Sequence, residues 1–203
     1  MDKMNILIIP KILEPYKNQL EFSIEKKLLI FLKKCFKKCT ISISYNFEFK
    51  KKYNLIILSG GNTIIKFSKK ENDKFRNKID EYFLKKADLN KTPIIGICHG
   101  GQFLASKYKL NLIKDINHVG SHKLENLSKM TIKFKTVKSY HNYKIKYKKS
   151  KIIENLFLAD DKSIECFKIR NKKIGGIIWH PEREIRNIKE QIYFFKSFYS
   201  YIK

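Results

Sequence analysis

The chain has 203 residues, 43% of them hydrophobic and 31% charged, and carries a formal net charge of +25. That length fills one α/β domain with a well-packed core and falls short of two ordinary ones. No apolar run approaches the roughly 18–20 residues that a membrane-spanning helix needs, which argues against a membrane protein and for a globular one.

The charge is of one kind. Only four basic residues are arginines (Arg76, Arg170, Arg183 and Arg186), against 40 lysines spread along the whole chain. Arginine makes the bidentate contacts to phosphate and guanine, so nucleic acid is not expected as the main partner. A diffuse positive field suits an acidic small substrate; compositional drift, in a chain also rich in Ile and Asn, is the alternative. Cys35, Cys39, Cys98 and Cys166 form no Cys-x-x-Cys pair, as expected of a reduced chain in the cytoplasm. Cys35 and Cys39 lie one helical turn apart and read as a reduced pair, with a disulfide or metal site as the alternative.

In chain order, the apolar start runs into Lys11, Glu14 and Lys17 rather than a cleavage site, so it reads as a first buried strand over 6–9. Residues 19–38 are expected to form a long helix, with Leu28, Leu32 and Phe36 in one row and Leu29 beside it. Strands follow over 41–45 and 55–58, then a helix over 72–86, a strand over 94–98 and a helix over 101–108. The segment 111–150 is rich in Lys, Tyr and His and should supply antiparallel strands and loops, with one strand over 132–137. Strands over 163–169 and 174–179 and a helix over 184–202 complete the chain. Short apolar runs alternating with amphipathic ones predict an α/β fold: a central, mostly parallel sheet flanked by helices, with an antiparallel edge. Neither a repeat nor a linker interrupts it, so residues 1–203 are expected to form a single domain.

Three stretches carry chemistry. In 93–102 an apolar strand runs into Cys98, with Gly96 and Gly100 two residues to either side and a helical pattern beyond. This Gly-x-Cys-x-Gly pattern makes a sharp elbow that projects a nucleophile. A helix N-terminus beneath the sulfur favours the thiolate; a buried structural cysteine is the blander reading. In 175–182 a strand ends at His180, with Pro181 breaking it and Glu182 two residues on. His180 is the expected base, and Glu182 the carboxylate that orients it. In 55–62 a strand ends in Ser59, Gly60 and Gly61. Such a loop can offer a backbone N–H to an oxyanion, with the amide of His99 as the second donor; an ordinary turn is the alternative.

Leu-Ser-Gly-Gly, Gly-Ile-Cys-His-Gly-Gly-Gln and Trp-His-Pro-Glu, in this order, resemble the motifs of the class I glutamine amidotransferases. The chain is most similar to their stand-alone γ-glutamyl hydrolase branch, and the motifs span residues 58–182. The resemblance implies a flavodoxin-like fold and a Cys98–His180–Glu182 triad that cleaves a γ-glutamyl amide through a thioester. It implies that Gly60, Gly61 and His99 shape the oxyanion site, and that Gln102, Ser139, Tyr140 and His141 hold the glutamyl group. His118 and His122 resemble positions near the entrance for the leaving group. A small γ-glutamyl substrate is implied, and no cofactor. The overall look is similar to the γ-glutamyl-CDP-amidate hydrolases of capsule modification, whose substrate is nucleotide-linked. A glutaminase subunit passing ammonia to a partner synthase is the alternative, and a non-catalytic binding protein is a third reading. At this length no fused synthetase domain is expected.

Two departures stand out. His99 replaces the Arg, Leu or Tyr common after the nucleophile and would add a titrating group near the thiolate; Gly101 before Gln102 would widen the pocket. His118 and His122 are four apart like metal ligands, but Gly120 between them disfavours a helix and no third ligand is spaced nearby, so no metal is expected.

Overall fold

The computed structural model describes residues 3–49 and 52–203. Strand β1 (Met4–Ile9) leads into a hairpin, β2 (Lys11–Tyr16) and β3 (Gln19–Ser23), with Asn18 left-handed at its turn (φ 65°). Helix α1 is therefore shorter than expected, Lys26–Cys35. The helical row begins only at Leu28; Gln19–Ser23 pairs with β2, and Phe22 packs edge-on against Tyr45 and Phe75. Next come β4 (Cys39–Ile43), β5 (Leu55–Leu58), α2 (Glu71–Leu89), β6 (Ile94–Ile97) and α3 (His99–Lys107).

The segment expected to hold antiparallel strands contains β7 (Leu112–Lys114), β8 (Gly120–Asn126), β9 (Thr136–Ser139) and β10 (Tyr143–Ile145). The strand expected over 132–137 starts only at Thr136. Phe134 instead inserts into the Trp179 and Phe194 rings, so its apolarity serves the core rather than a ladder. Strand β11 (Ile153–Ala159) was not foreseen; β12 (Ile164–Ile169) and β13 (Ile174–Ile177) were. Two single-turn 3₁₀ helices, Pro181–Arg183 and Ile185–Asn187, delay α4 to Ile188–Ile202.

Nine strands form one sheet in the order β4-β1-β5-β6-β13-β12-β11-β8-β9. β4, β1, β5, β6 and β13 run parallel, and from β13 onward every pairing is antiparallel. Along β1 the pleat sends Leu7 and Ile9 to one face, with α2 and α3, and Ile6 and Ile8 to the other, with α1 and α4. β6 lies between β5 and β13, so the chain emerging from these three neighbours converges at one end of the sheet. Parallel sheets place their ligand sites at that end. No helix among the described residues is long and apolar enough to cross a membrane.

Candidate functional site

At the end of β6, Cys98 turns the chain with φ 52° and ψ −106°, a conformation that L-residues rarely occupy outside functional turns. Its N–H donates to the Ile177 carbonyl (2.8 Å), and its own carbonyl accepts the Gln102 N–H (2.9 Å) that starts α3. The turn is tight enough to demand glycine. A Cβ on Gly96 would lie 2.3 Å from the Gly100 carbonyl, and one on Gly100 2.1 Å from the Leu58 oxygen. Cys98 is not the exposed elbow that the motif suggests: only 8% of it is accessible.

From β13, next to β6 in the sheet, the chain delivers His180 to the same place. Pro181 opens the 3₁₀ turn that carries Glu182 back beneath the imidazole, and His180 Nδ1–H donates to Glu182 Oε1 at 2.6 Å. Both side chains are buried. Burial opposes the charged ring, but the Cys98 sulfur, its hydrogen bond and then Glu182 outweigh it and hold His180 at about 10. The ring is thus an imidazolium facing a sulfur.

From β5 comes the glycine loop. A Cβ on Gly60 would meet His180 Nε2 and Cys98 Cβ, each at 3.3 Å, so Gly60 backs directly onto the pair. Gly61 has φ +111°, and the stem of Lys11 lies across it. The loop is held from below by the fully buried Arg76, whose Nη2 donates to the Ser59 carbonyl (2.9 Å) and Nη1 to that of Pro10 (2.6 Å). Arg76 Nε pairs with Asp80 Oδ1 (2.8 Å), and the other Asp80 oxygen lies 3.2 Å from His99 Nε2. Burial pushes His99 down despite Asp80. The side chain of His99 is therefore a neutral strut under the elbow, not the titrating group expected beside the thiolate. Only its backbone N–H is left for the site.

The sequence reading passed over Arg76 and Asp80. The usable signal was an arginine in a chain whose default cation is lysine. Arg183 is a second instance: its Nε and Nη2 donate to Glu25 Oε2 (2.9 and 2.7 Å), closing a small cavity that Gly60, His180 and Lys11 also line.

Among the remaining expected residues, Tyr140 packs against His180. Gln102 is buried and donates to the Tyr143 carbonyl (3.0 Å). Ser139 is buried, with no hydrogen-bond partner for its hydroxyl. Tyr140 stands half exposed, edge-on to His180 at 5.9 Å and under the Arg183 guanidinium at 5.1 Å. His141 is buried; burial and the positive neighbours His118 and His180 push it down to about 3. His118 and His122 are buried as well, stacked at 4.3 Å. Spacing offered these two no third ligand, yet the fold brings His141 and Glu165 to His118.

Residues 23–199 match the family described as glutamine amidotransferase class-I. The chain is similar to the γ-glutamyl-CDP-amidate hydrolase of Campylobacter jejuni subsp. jejuni serotype O:2, 33% identical over 178 residues and 86% of each chain. In fold it resembles a chain of PurLQS from Thermotoga maritima, with a TM-score of 0.70, 19% identity and full coverage of both chains. It also resembles a glutamine amidotransferase from the same organism, with a TM-score of 0.62, 19% identity and coverage of 97% of this chain and 84% of that one.

Proposed function

We propose that this chain, which belongs to the class I glutamine amidotransferase family, is a one-domain hydrolase that cleaves a γ-glutamyl amide through a thioester on Cys98. The observation that carries this reading is the meeting of Cys98 and His180 against Gly60, with His180 held as imidazolium at about 10. Cys98 attacks the γ-carbonyl carbon, and the oxygen gains negative charge beside the N–H groups of Gly61 and His99. His180 then gives its Nε2 proton to the departing nitrogen, and the C–N bond breaks. The neutral ring next takes a proton from the water that attacks the thioester, releasing glutamate and restoring the pair. Glu182 keeps the Nδ1 proton in place throughout. Gln102, Ser139, Tyr140 and His141 are assigned to the glutamyl end.

For the leaving group, the finer reading is a CDP-linked amidate, in the synthesis of capsular polysaccharide in the cytoplasm. It is supported by the Campylobacter relative and by a +25 charge suited to a pyrophosphate. His118 and His122 are assigned to that side of the site. Against the glutaminase-subunit reading stands Arg76, which ties the start of the Ser59–Gly61 loop to α2 from within the chain.

The test is turnover by the purified chain of a γ-glutamyl amide panel, including nucleotide-linked members, alongside glutamine. We expect steady hydrolysis of a γ-glutamyl conjugate without any added protein. Silence on the panel with activity restored by a synthase would favour the glutaminase reading; silence under both conditions would favour a binding protein.

A further inference from the structure

We propose that His118, His141 and Glu165 form a binding site for one divalent transition-metal ion of the zinc type, beside the Cys98 centre and sharing His118 and His141 with the substrate pocket proposed for it. The three come from separate parts of the fold. His118 ends the 3₁₀ turn Ile116–His118, His141 lies in the loop between β9 and β10, and Glu165 sits on β12. One potential ligand atom from each lies within 4.8 Å of the others, and all three residues are buried.

Two features point to an ion rather than to packing. Both ring nitrogens of His141 and one Glu165 oxygen, Oε2, are buried without a well-formed hydrogen bond, the Tyr143 backbone being only a loose neighbour of the His141 ring. Folded proteins rarely leave such atoms unserved. A protonated His118 between Glu165 and Asp161 would account for His118 alone, whereas an ion serves all three residues together.

Behind the site, His118 Nδ1 lies 3.3 Å from Asp161 Oδ2 while Nε2 faces Glu165 Oε1 at 3.2 Å. Asp161 is in turn fixed by the Ser163 N–H (2.9 Å), the Ser163 hydroxyl (2.6 Å) and Lys144 (3.1 Å). A carboxylate anchored behind the far nitrogen of an imidazole is how proteins orient a metal-binding histidine. Two imidazoles and one carboxylate suit zinc and its neighbours, not calcium or magnesium, which take oxygen ligands.

The test uses the tag-free chain carrying Cys98→Ala, which removes that sulfur as a competing ligand. After chelator treatment it is titrated with Co²⁺, followed by visible absorption. The expected result is a single equivalent bound with ligand-field bands and no thiolate charge-transfer band. Glu165→Gln should weaken binding about tenfold or more, and Asp161→Asn by about 10- to 100-fold. Asp161 is a third exposed, so its variant remains informative if Glu165→Gln does not fold. Failure to bind a stoichiometric ion, or unchanged affinity in the folded variants, overturns the proposal.

Discussion

Gly60 and His180 stand so close that a Cβ on the glycine would lie 2.7 Å from His180 Cε1. The loop proposed to offer backbone N–H groups also sets how near the imidazole can come to Cys98. Gly60→Ala must therefore displace either the ring or the loop. We expect kcat to fall about 100-fold with little change in the thermal midpoint. Unchanged kcat would mean that the loop does not line the reacting atoms.

Cys98→Ala should abolish turnover and leave the fold intact, because the loss of one sulfur atom opens no large cavity. It should also lower the His180 pKa, since the sulfur contributes the largest of the effects that raise it. An NMR titration of the His180 ring reads this directly. A ring still titrating near 10 in the variant would assign the shift to Glu182 instead.

The pH dependence follows from the same residue. His180 is raised from 6.5 to about 10, so the stability it contributes is whole below 6.5 and is lost as the pH climbs through about 10. The rate should follow the same proton: kcat/KM should show an alkaline limb near 10, where the imidazolium can no longer protonate the leaving amine. Glu182→Gln should move that limb to lower pH and cost less activity than His180→Ala. The reverse order of damage would exchange the assigned roles.

Arg76 bonds to Asp80 and to the Ser59 and Pro10 carbonyls. A lysine has one nitrogen and cannot reach all three, so Arg76→Lys should lower kcat more than it changes KM. Arg76→Met leaves Asp80 buried with His99 alone and should destabilise the fold by about 3–5 kcal/mol, measurable by urea denaturation. Equal stability of Arg76→Met and wild type would show that the network does not bind the loop to α2.

If the lysines serve an anionic substrate, they act through its encounter rate. With a screening length of about 8 Å at 0.15 M salt, kcat/KM for a phosphate-bearing γ-glutamyl substrate should fall several-fold between low and moderate salt. A neutral γ-glutamyl amide should barely respond. Matching salt curves would assign the +25 charge to compositional drift.

The sequence by itself determined that the core is a mostly parallel sheet with an antiparallel edge, and picked out Cys98, His180 and Glu182; the order of the strands came only with the fold. The patterns around Cys98 and Pro181 are local: glycines where a Cβ would strike backbone, and a proline that opens the 3₁₀ turn beneath His180. These constraints act within a few residues and are legible along the chain. Only the tertiary structure decided the hairpin at Lys11–Ser23, strand β11 and the late start of β9, because each depends on a partner supplied from elsewhere. The same holds for side-chain direction. His99 follows the nucleophile in sequence, yet a carboxylate on α2, nineteen residues earlier, turns its ring away from the sulfur. His118 met His141 and Glu165 only because β10 packs against both β12 and the 3₁₀ turn Ile116–His118 once folded. Spacing along the chain carries no record of contacts between segments that distant.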